Sequence, residues 1–372
     1  MTGIYLDWNA TAPLRPEARA ALIVSMDEVG NASSIHRFGR AARKRVEDAR
    51  ARVAALVGAT PAQVVFTGSG TEANGLALRL KGMARIIVSA TDHAAVLEPA
   101  GPGAERLPVG ADGLVDLEAL DRMLAAGPGP ALVSVQAVNN ETGVIQPLAA
   151  ITAIARRHGS RVHSDAVQAA GRIPLDMAAL GLDMLTLSAH KIGGPQGVGA
   201  LVISPGLVFD PLIRGGGQER RQRAGTENVP GIAGFGAAAA AALDGLAGYG
   251  AIAALRDGLE QRLLAAVPDA VVFGRDAPRV ANTTCIALPG VPAETQLMAF
   301  DLAGIAVSTG AACSSGTVKA SHVLTAMGVG PDLAGSALRI SLGWTTTQGE
   351  VDRAAAVWLK LAENDRRRRE RA

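Results

Sequence analysis

Residues 64–74 read Val64-Val65-Phe66-Thr67-Gly68-Ser69-Gly70-Thr71-Glu72-Ala73-Asn74. A short apolar run passes through a Gly/Ser/Thr turn into a helix-forming segment, which predicts strand, tight turn and helix in direct succession. The same alternation continues outward. Strands are expected at Arg85–Ser89, Ala131–Val138, Arg161–His163, Met184–Ser188 and Ala200–Ile203, several of them apolar throughout, as strands covered on both faces are. Phe38, Ala42, Val46, Ala49, Val53 and Leu56 fall at spacings of three and four, one apolar helix face opposite Arg and Lys. Such alternation argues for an α/β sandwich around a mainly parallel sheet. An Ala/Gly-rich helix is expected over 230–249. Beyond it shorter strands, at Ala270–Phe273, Thr283–Leu288, Gly304–Val307 and Leu338–Ser341, predict a smaller α+β unit. The division expected is a large domain over 14–247, and a small one built from 1–13 and 248–372.

The chain has 372 residues, 48% hydrophobic and 19% charged, which excludes a disordered or fibrous class and leaves room for two domains. Lys+Arg 36 against Asp+Glu 34 is too balanced for a nucleic-acid groove. No apolar run reaches the ~18 residues of a membrane helix, and the N-terminus lacks the basic start of a signal peptide. A soluble cytoplasmic protein is the expectation. Cys285 and Cys313 are the two cysteines, too few for a disulfide framework or a four-cysteine metal site.

Three constellations carry chemistry. The turn at Gly68–Thr71, with free N–H groups at a helix start and the Thr71 hydroxyl, suits a phosphate. A dinucleotide fold is the competing reading, but the final Gly and the acid ~20 residues on are missing. Val162-His163-Ser164-Asp165 ends a strand on a carboxylate, at the sheet edge where α/β proteins bind ligands; a helix N-cap is the structural alternative. Leu187-Ser188-Ala189-His190-Lys191 ends a strand on an amine before a glycine turn. A partly desolvated lysine there has a lowered pKa and can form a Schiff base. The chain has only five lysines, Lys44, Lys81, Lys191, Lys319 and Lys360, so rivals are few. Phosphate turn, carboxylate and amine are together the parts that pyridoxal phosphate requires.

YLDWNATAP (5–13), NASSIHRFG (31–39), VFTGSGTEAN (65–74), TDHAAVLEP (91–99), VSVQAVNNETGVIQPL (133–148), HSDAVQAAG (163–171), LSAHKIGGPQGVGAL (187–201), GGGQERRQRAGTENVPGIAGFG (215–236) and STGAACSSG (308–316) resemble, in order, the motifs of the cysteine desulfurases. These are enzymes of the class V aminotransferase group with the fold-type I architecture: a large domain around a mainly parallel seven-stranded sheet, and a small α+β domain. The loop around Cys313 is most similar to the bacterial housekeeping and nitrogen-fixation type.

The resemblance implies roles. Lys191 holds pyridoxal 5'-phosphate and shuttles the substrate's α-proton; Asp165 pairs with the pyridine nitrogen, and Gln168 with the phenolic oxygen. Gly70, Thr71, Ser188 and His190 hold the phosphate, joined by Thr226 from the neighbouring subunit of a homodimer. His93 stacks on the ring and relays protons. Arg339, with Asn139, takes the substrate carboxylate, a buried ion pair being the alternative for Arg339. Cys313, on a Gly/Ser-flanked segment suited to a loop that swings, carries sulfur as a persulfide to an acceptor or scaffold protein, whereas Cys285 reads as core packing. The implied reaction converts L-cysteine to L-alanine, with iron–sulfur assembly as its destination and no metal, membrane or direct nucleic-acid partner. A selenocysteine lyase or other elimination enzyme of the same fold, and an idle partner in a sulfur-transfer complex, are the other readings.

Overall fold

The computed structural model describes residues 3–309 and 321–370. Their strands are β1 (Ile4–Tyr5), β2 (Val64–Thr67), β3 (Arg85–Ser89), β4 (Glu105–Leu107), β5 (Ala131–Ser134), β6 (Arg161–Asp165), β7 (Met184–Ser188), β8 (Gly199–Ile203), β9 (Val271–Val272), β10 (Thr283–Ala287), β11 (Ile305–Ala306) and β12 (Ala337–Ser341). Seven form one sheet in the order β2-β8-β7-β6-β5-β3-β4. From β7 to β4 the pairings are parallel, and β8 lies antiparallel between β7 and β2. β2 therefore points the same way as the parallel strands. Its end at Thr67 reaches the same edge as Asp165 and Ser188, the last residues of β6 and β7.

Strand pleating divides the side chains between two cores. Val64, Phe66, Val133, Leu185, Leu187 and Val202 face one side, and their alternating neighbours Val65, Leu132, Met184 and Leu201 face the other, the period of two that a β-strand imposes. The helix Arg37–Leu56 covers the first face together with the helix Val229–Asp244. The two helices come so close that a Cβ on Gly236 would lie 2.5 Å from Ala49 Cα. Phe38 does not join the buried stripe expected of it: it is 51% exposed, because it sits in the helix's first turn, ahead of the packed face. No single described helix is long and apolar enough to cross a membrane.

β5 stops at Ser134, short of the expected Val138, because the next stretch is paired on one side only. Val135 and Ala137 donate to His163 and Asp165 carbonyls, while the Gln136 N–H donates to the Asp92 carboxylate at 2.7 Å rather than to a strand. Beyond the large sheet, β12-β10-β9 form an antiparallel sheet and β1 pairs with β11. A separate core of Leu6, Leu263, Phe300, Leu338 and Trp358 lies under them, so the first residues of the chain pack with its last third.

A buried ion pair ties this frame to the 215–236 segment. Arg50 NH1 and NH2 donate to the two Glu219 oxygens at 2.7 and 2.8 Å, and the same carboxylate accepts from the Phe66 N–H in β2 at 2.9 Å. The contact holds Glu219, Arg220 and Arg221 at φ of 40°, 56° and 67°, the left-handed region that non-glycine residues seldom occupy. Glu219→Ala leaves the buried Arg50 guanidinium with only the half-exposed Glu47, 3.1 Å from its Nε, as a carboxylate partner. Denaturant unfolding should show a loss of about 3–5 kcal/mol; a loss below ~1 kcal/mol, the worth of a surface pair, would contradict an organising role.

Candidate active site

A cavity of about 650 Å³ opens at the carboxyl edge of the large sheet, where strand ends and helix starts converge. At the end of β2, Ser69 caps the helix Gly70–Ala77 by accepting from the Glu72 N–H at 3.1 Å. Glu72 in turn accepts from the Gly68 N–H at 2.7 Å and from Arg223 at 2.9 Å, which fixes the turn from both sides. Gly68, Ser69, Gly70 and Thr71 line the cavity with the first turn of that helix, a setting for an anion. The adjacent β8 makes room for it: a Cβ on Gly199 would lie 2.4 Å from the Ser69 carbonyl carbon, so the turn can lie on the sheet only over a glycine. Ser188, across from Gly70, also lines the cavity.

Asp165 is 8% exposed and held on both oxygens. Oδ2 accepts from Asn74 Nδ2 at 2.6 Å and Oδ1 from the Val167 N–H at 3.0 Å. The turn that follows is not helical, so the carboxylate is not a helix cap, and it lines the cavity. Gln168 donates from Nε2 to the Asn9 carbonyl at 2.9 Å, and its Oε1 is buried without a partner. Lys191 ends the turn after β7, where its Nζ donates to the carbonyls of Asn9 and Ala10. Burial, with the Arg172 and Arg339 charges, lowers its pKa to about 7, against the opposing pull of Asp165 and Asp7. His190 shares a hydrogen bond between Nδ1 and Thr11 Oγ1 at 3.1 Å. Burial and the Lys191 charge bring its pKa down to about 4, so its imidazole is neutral.

His93 caps the helix Ala94–Ala100, its Nδ1 accepting from the Ala95 N–H at 3.1 Å. The neutral tautomer that accepts this bond carries its proton on Nε2. Desolvation lowers its pKa; Asp165 opposes that, and Lys191, His322 and Arg339 reinforce it. Arg339, on β12, makes the buried ion pair weighed for it and also reaches the cavity. NH2 donates to Asp7 Oδ1 at 2.7 Å and NH1 to the Asn140 carbonyl at 3.1 Å, yet the side chain lines the cavity and its buried Nε has no partner.

Two expected site residues stand differently. Asn140 lines the cavity, whereas Asn139 is not part of the lining. Asn139 Nδ2 donates to the Thr91 carbonyl at 3.1 Å, and its Oδ1 accepts from the Glu141 and Thr142 N–H groups, so it holds the turn that presents Asn140. Thr226 is exposed and lies outside the lining. Cys313 lies outside the described residues, but the chain on either side of it is placed. Ser308 lines the cavity and exchanges backbone hydrogen bonds with Arg339. Ser321 donates to Glu141 Oε2, and His322 Nε2 bonds the Asp92 carbonyl at 2.9 Å. Cys285 is fully buried on β10 opposite Arg339, and burial pushes its thiol pKa up, as expected of core packing.

Sequence reasoning missed Asn9, Asp7, Asn74 and Arg172. Asn74 had a local signal, three positions after Thr71 on the helix that starts at the Gly68–Thr71 turn. The others come from distant segments.

The class-V aminotransferase model matches residues 4–354. A cysteine desulfurase of Cereibacter sphaeroides is 45% identical over 371 residues, covering 96% of this chain and 95% of its own. An IscS-like cysteine desulfurase of Mycobacterium tuberculosis is 41% identical, covering 95% and 94%. Among solved structures, a NifS-like protein from Rickettsia africae superposes with a TM-score of 0.91 at 38% identity, over 97% of this chain and 99% of that one. With the fold, the cavity and these likenesses in agreement, the chain belongs to the class-V aminotransferase family, among its cysteine desulfurases.

Proposed function

We propose that the protein is a pyridoxal-phosphate-dependent cysteine desulfurase that takes L-cysteine to L-alanine and leaves the sulfur as a persulfide on Cys313. One observation carries the reading: an amine with a pKa of about 7, an anchored carboxylate and a helix-start turn face the same cavity. This donor set fits pyridoxal phosphate. The first turn of the helix Gly70–Ala77, with Thr71, Ser188 and His190, suits the phosphate, and Asp165 suits a protonated pyridine nitrogen. Gln168 Nε2 has a second hydrogen for the phenolic oxygen, since the first serves Asn9. When bound, the group supplies an electron sink for charge developing on the substrate.

The chain's own groups do the rest. Lys191, half neutral near pH 7, holds the cofactor and moves the substrate's α-proton. The unpartnered Arg339 Nε, beside Asn140, is a donor for the substrate carboxylate. His93 takes the substrate thiol's proton. A Cys313 thiolate then bonds to the substrate sulfur; the carbon–sulfur bond breaks with its electron pair left on carbon, and that carbon takes up a proton. Ser308 stands five residues before Cys313, within a reach of about 17 Å at full extension, and at the cavity wall. The test is a purified protein supplied with L-cysteine and a thiol reductant. Alanine and sulfide should appear in equal amounts; elimination to pyruvate, or no turnover, would overturn the reading.

The wider setting follows the same reading. Two cores support a large domain over 14–247 and a small one from 1–13 and 248–372. Met26, Val29 and Ile35 are 70%, 80% and 90% exposed. Met26 and Val29 line one groove with Phe38 and with residues 227–230, which follow exposed Thr226, and this exposed apolar area supports a homodimer with Thr226 completing the partner's phosphate site. Thr226→Ala should then weaken cofactor binding by ~1.5–3 kcal/mol, the worth of a hydrogen bond to a charged group. A monomer with full cofactor affinity would refute this. Delivery of sulfur to an acceptor or scaffold for iron–sulfur assembly, in a cytoplasm that keeps the carrier thiol reduced, completes the proposal.

A further inference from the structure

Asn9 is 1% exposed, and all of its polar atoms are engaged by different elements. Its N–H donates to Ser341 Oγ at 3.0 Å, and Nδ2 donates to the Asn140 carbonyl at 3.0 Å and to Thr283 Oγ1 at 2.9 Å. Oδ1 accepts from Arg172 NH1 at 2.7 Å and from Asn282 Nδ2 at 3.1 Å. Its carbonyl accepts from Gln168 Nε2 and Lys191 Nζ. The residue thus joins two groups of the large sheet's cavity to β10 and β12 of the smaller sheet. Arg172 is 7% exposed, and among the described residues no carboxylate forms an ion pair with it.

We propose that Asn9 is a positioning residue for the Lys191 amine: its carbonyl clamps Lys191 and Gln168 to the smaller sheet, and its side chain holds the uncompensated Arg172 guanidinium beside them. The consequence is electrostatic as well as steric. The groups that act on Lys191 are the cations Arg172 and Arg339 and the carboxylates of Asp165 and Asp7, with neutral His190 next in the chain and His93 across the cavity. Of the two cations, Arg339 is already paired with Asp7. Burial does most to lower the Lys191 pKa, and Arg172 is the cation that adds to it without a carboxylate partner; Asn9 orients that charge without cancelling it. An aspartate of the same shape would cancel it.

The inference rests on Lys191 being the cofactor-bearing amine, so the experiment reads both. Full-length protein, stripped of cofactor, is pulsed with an amine-acylating reagent over a pH series. Modification of Lys191 is followed by mass spectrometry against the exposed Lys44 in the same sample. Neutral amine alone reacts, so the curve reports the protonation of Lys191. Asn9→Asp and Arg172→Gln should each move its midpoint upward, by about one pH unit as nearby charges do, whereas Arg172→Lys should leave it near the wild-type value. Should Asn9→Asp fail to fold, Arg172→Gln decides, because it leaves the links of Asn9 to the smaller sheet intact. In parallel, the cofactor-loaded protein is reduced with borohydride and its modified peptide mapped. An adduct on another lysine overturns the functional reading. Curves that superimpose on wild type, with the adduct on Lys191, overturn this proposal alone.

Discussion

Lys191→Ala should lose covalently held cofactor and reduce turnover by at least about 10³-fold, since both attachment and α-proton transfer pass through one amine. The loss should not come from unfolding. A lysine whose folded pKa lies near 7, below its unfolded value, carries a desolvation cost that is fully present at and below neutral pH and fades as pH rises through the unfolded value. Removing it should leave the cofactor-free protein no less stable at pH 7, measured by thermal unfolding. In the wild type, capture of added pyridoxal phosphate should rise through pH 7 and level off above it, because the neutral amine is the reacting form. Retention of the cofactor's visible absorbance and normal activity in Lys191→Ala would remove the basis of the proposed mechanism.

Cys313→Ser should have the second largest effect. Cofactor loading and the spectral change on adding cysteine use Lys191, Asp165 and His93, and should survive. Carbon–sulfur cleavage needs a nucleophile on sulfur, and a free thiol with a pKa near ~8.5 is a thiolate only in part at neutral pH. A serine hydroxyl is far weaker, so alanine release should fall by at least about 100-fold. Cys285→Ser should stay active. Its thiol packs with Phe273, Leu324 and Met327, so the hydroxyl should cost ~1–3 kcal/mol of stability and little else. The reverse pattern would transfer the carrier role to Cys285, whose burial argues against it.

The parts of the fold legible in the sequence were those where burial on both faces makes an apolar run continuous. β3 and β7 have the expected bounds, Arg85–Ser89 and Met184–Ser188. β1 and β4, of two and three residues, are too short to show a period. β5 was read too long because the apolar run outlasts its neighbour β3, and the Asp92 carboxylate takes over one of its N–H groups. Phe38 has the right spacing for the core, but spacing cannot say where along a helix the packed face begins.

The cavity divides in the same way. Asp165 and Ser188 end strands, Gly70, Thr71, His190 and Lys191 stand in the turns just after strands, and strand order alone brings parallel carboxyl ends to one edge; local sequence therefore determined that a helix-start turn, a carboxylate and an amine meet in this protein. What joins them was decided only in three dimensions. Asn9 meets Arg172 and Lys191 across 163 and 182 positions, and Asp7 meets Arg339 across 332. Contacts so distant in sequence arise because the first residues of the chain pack with the last third, and neither composition nor periodicity encodes a hydrogen bond between segments that only the packing of two cores brings together.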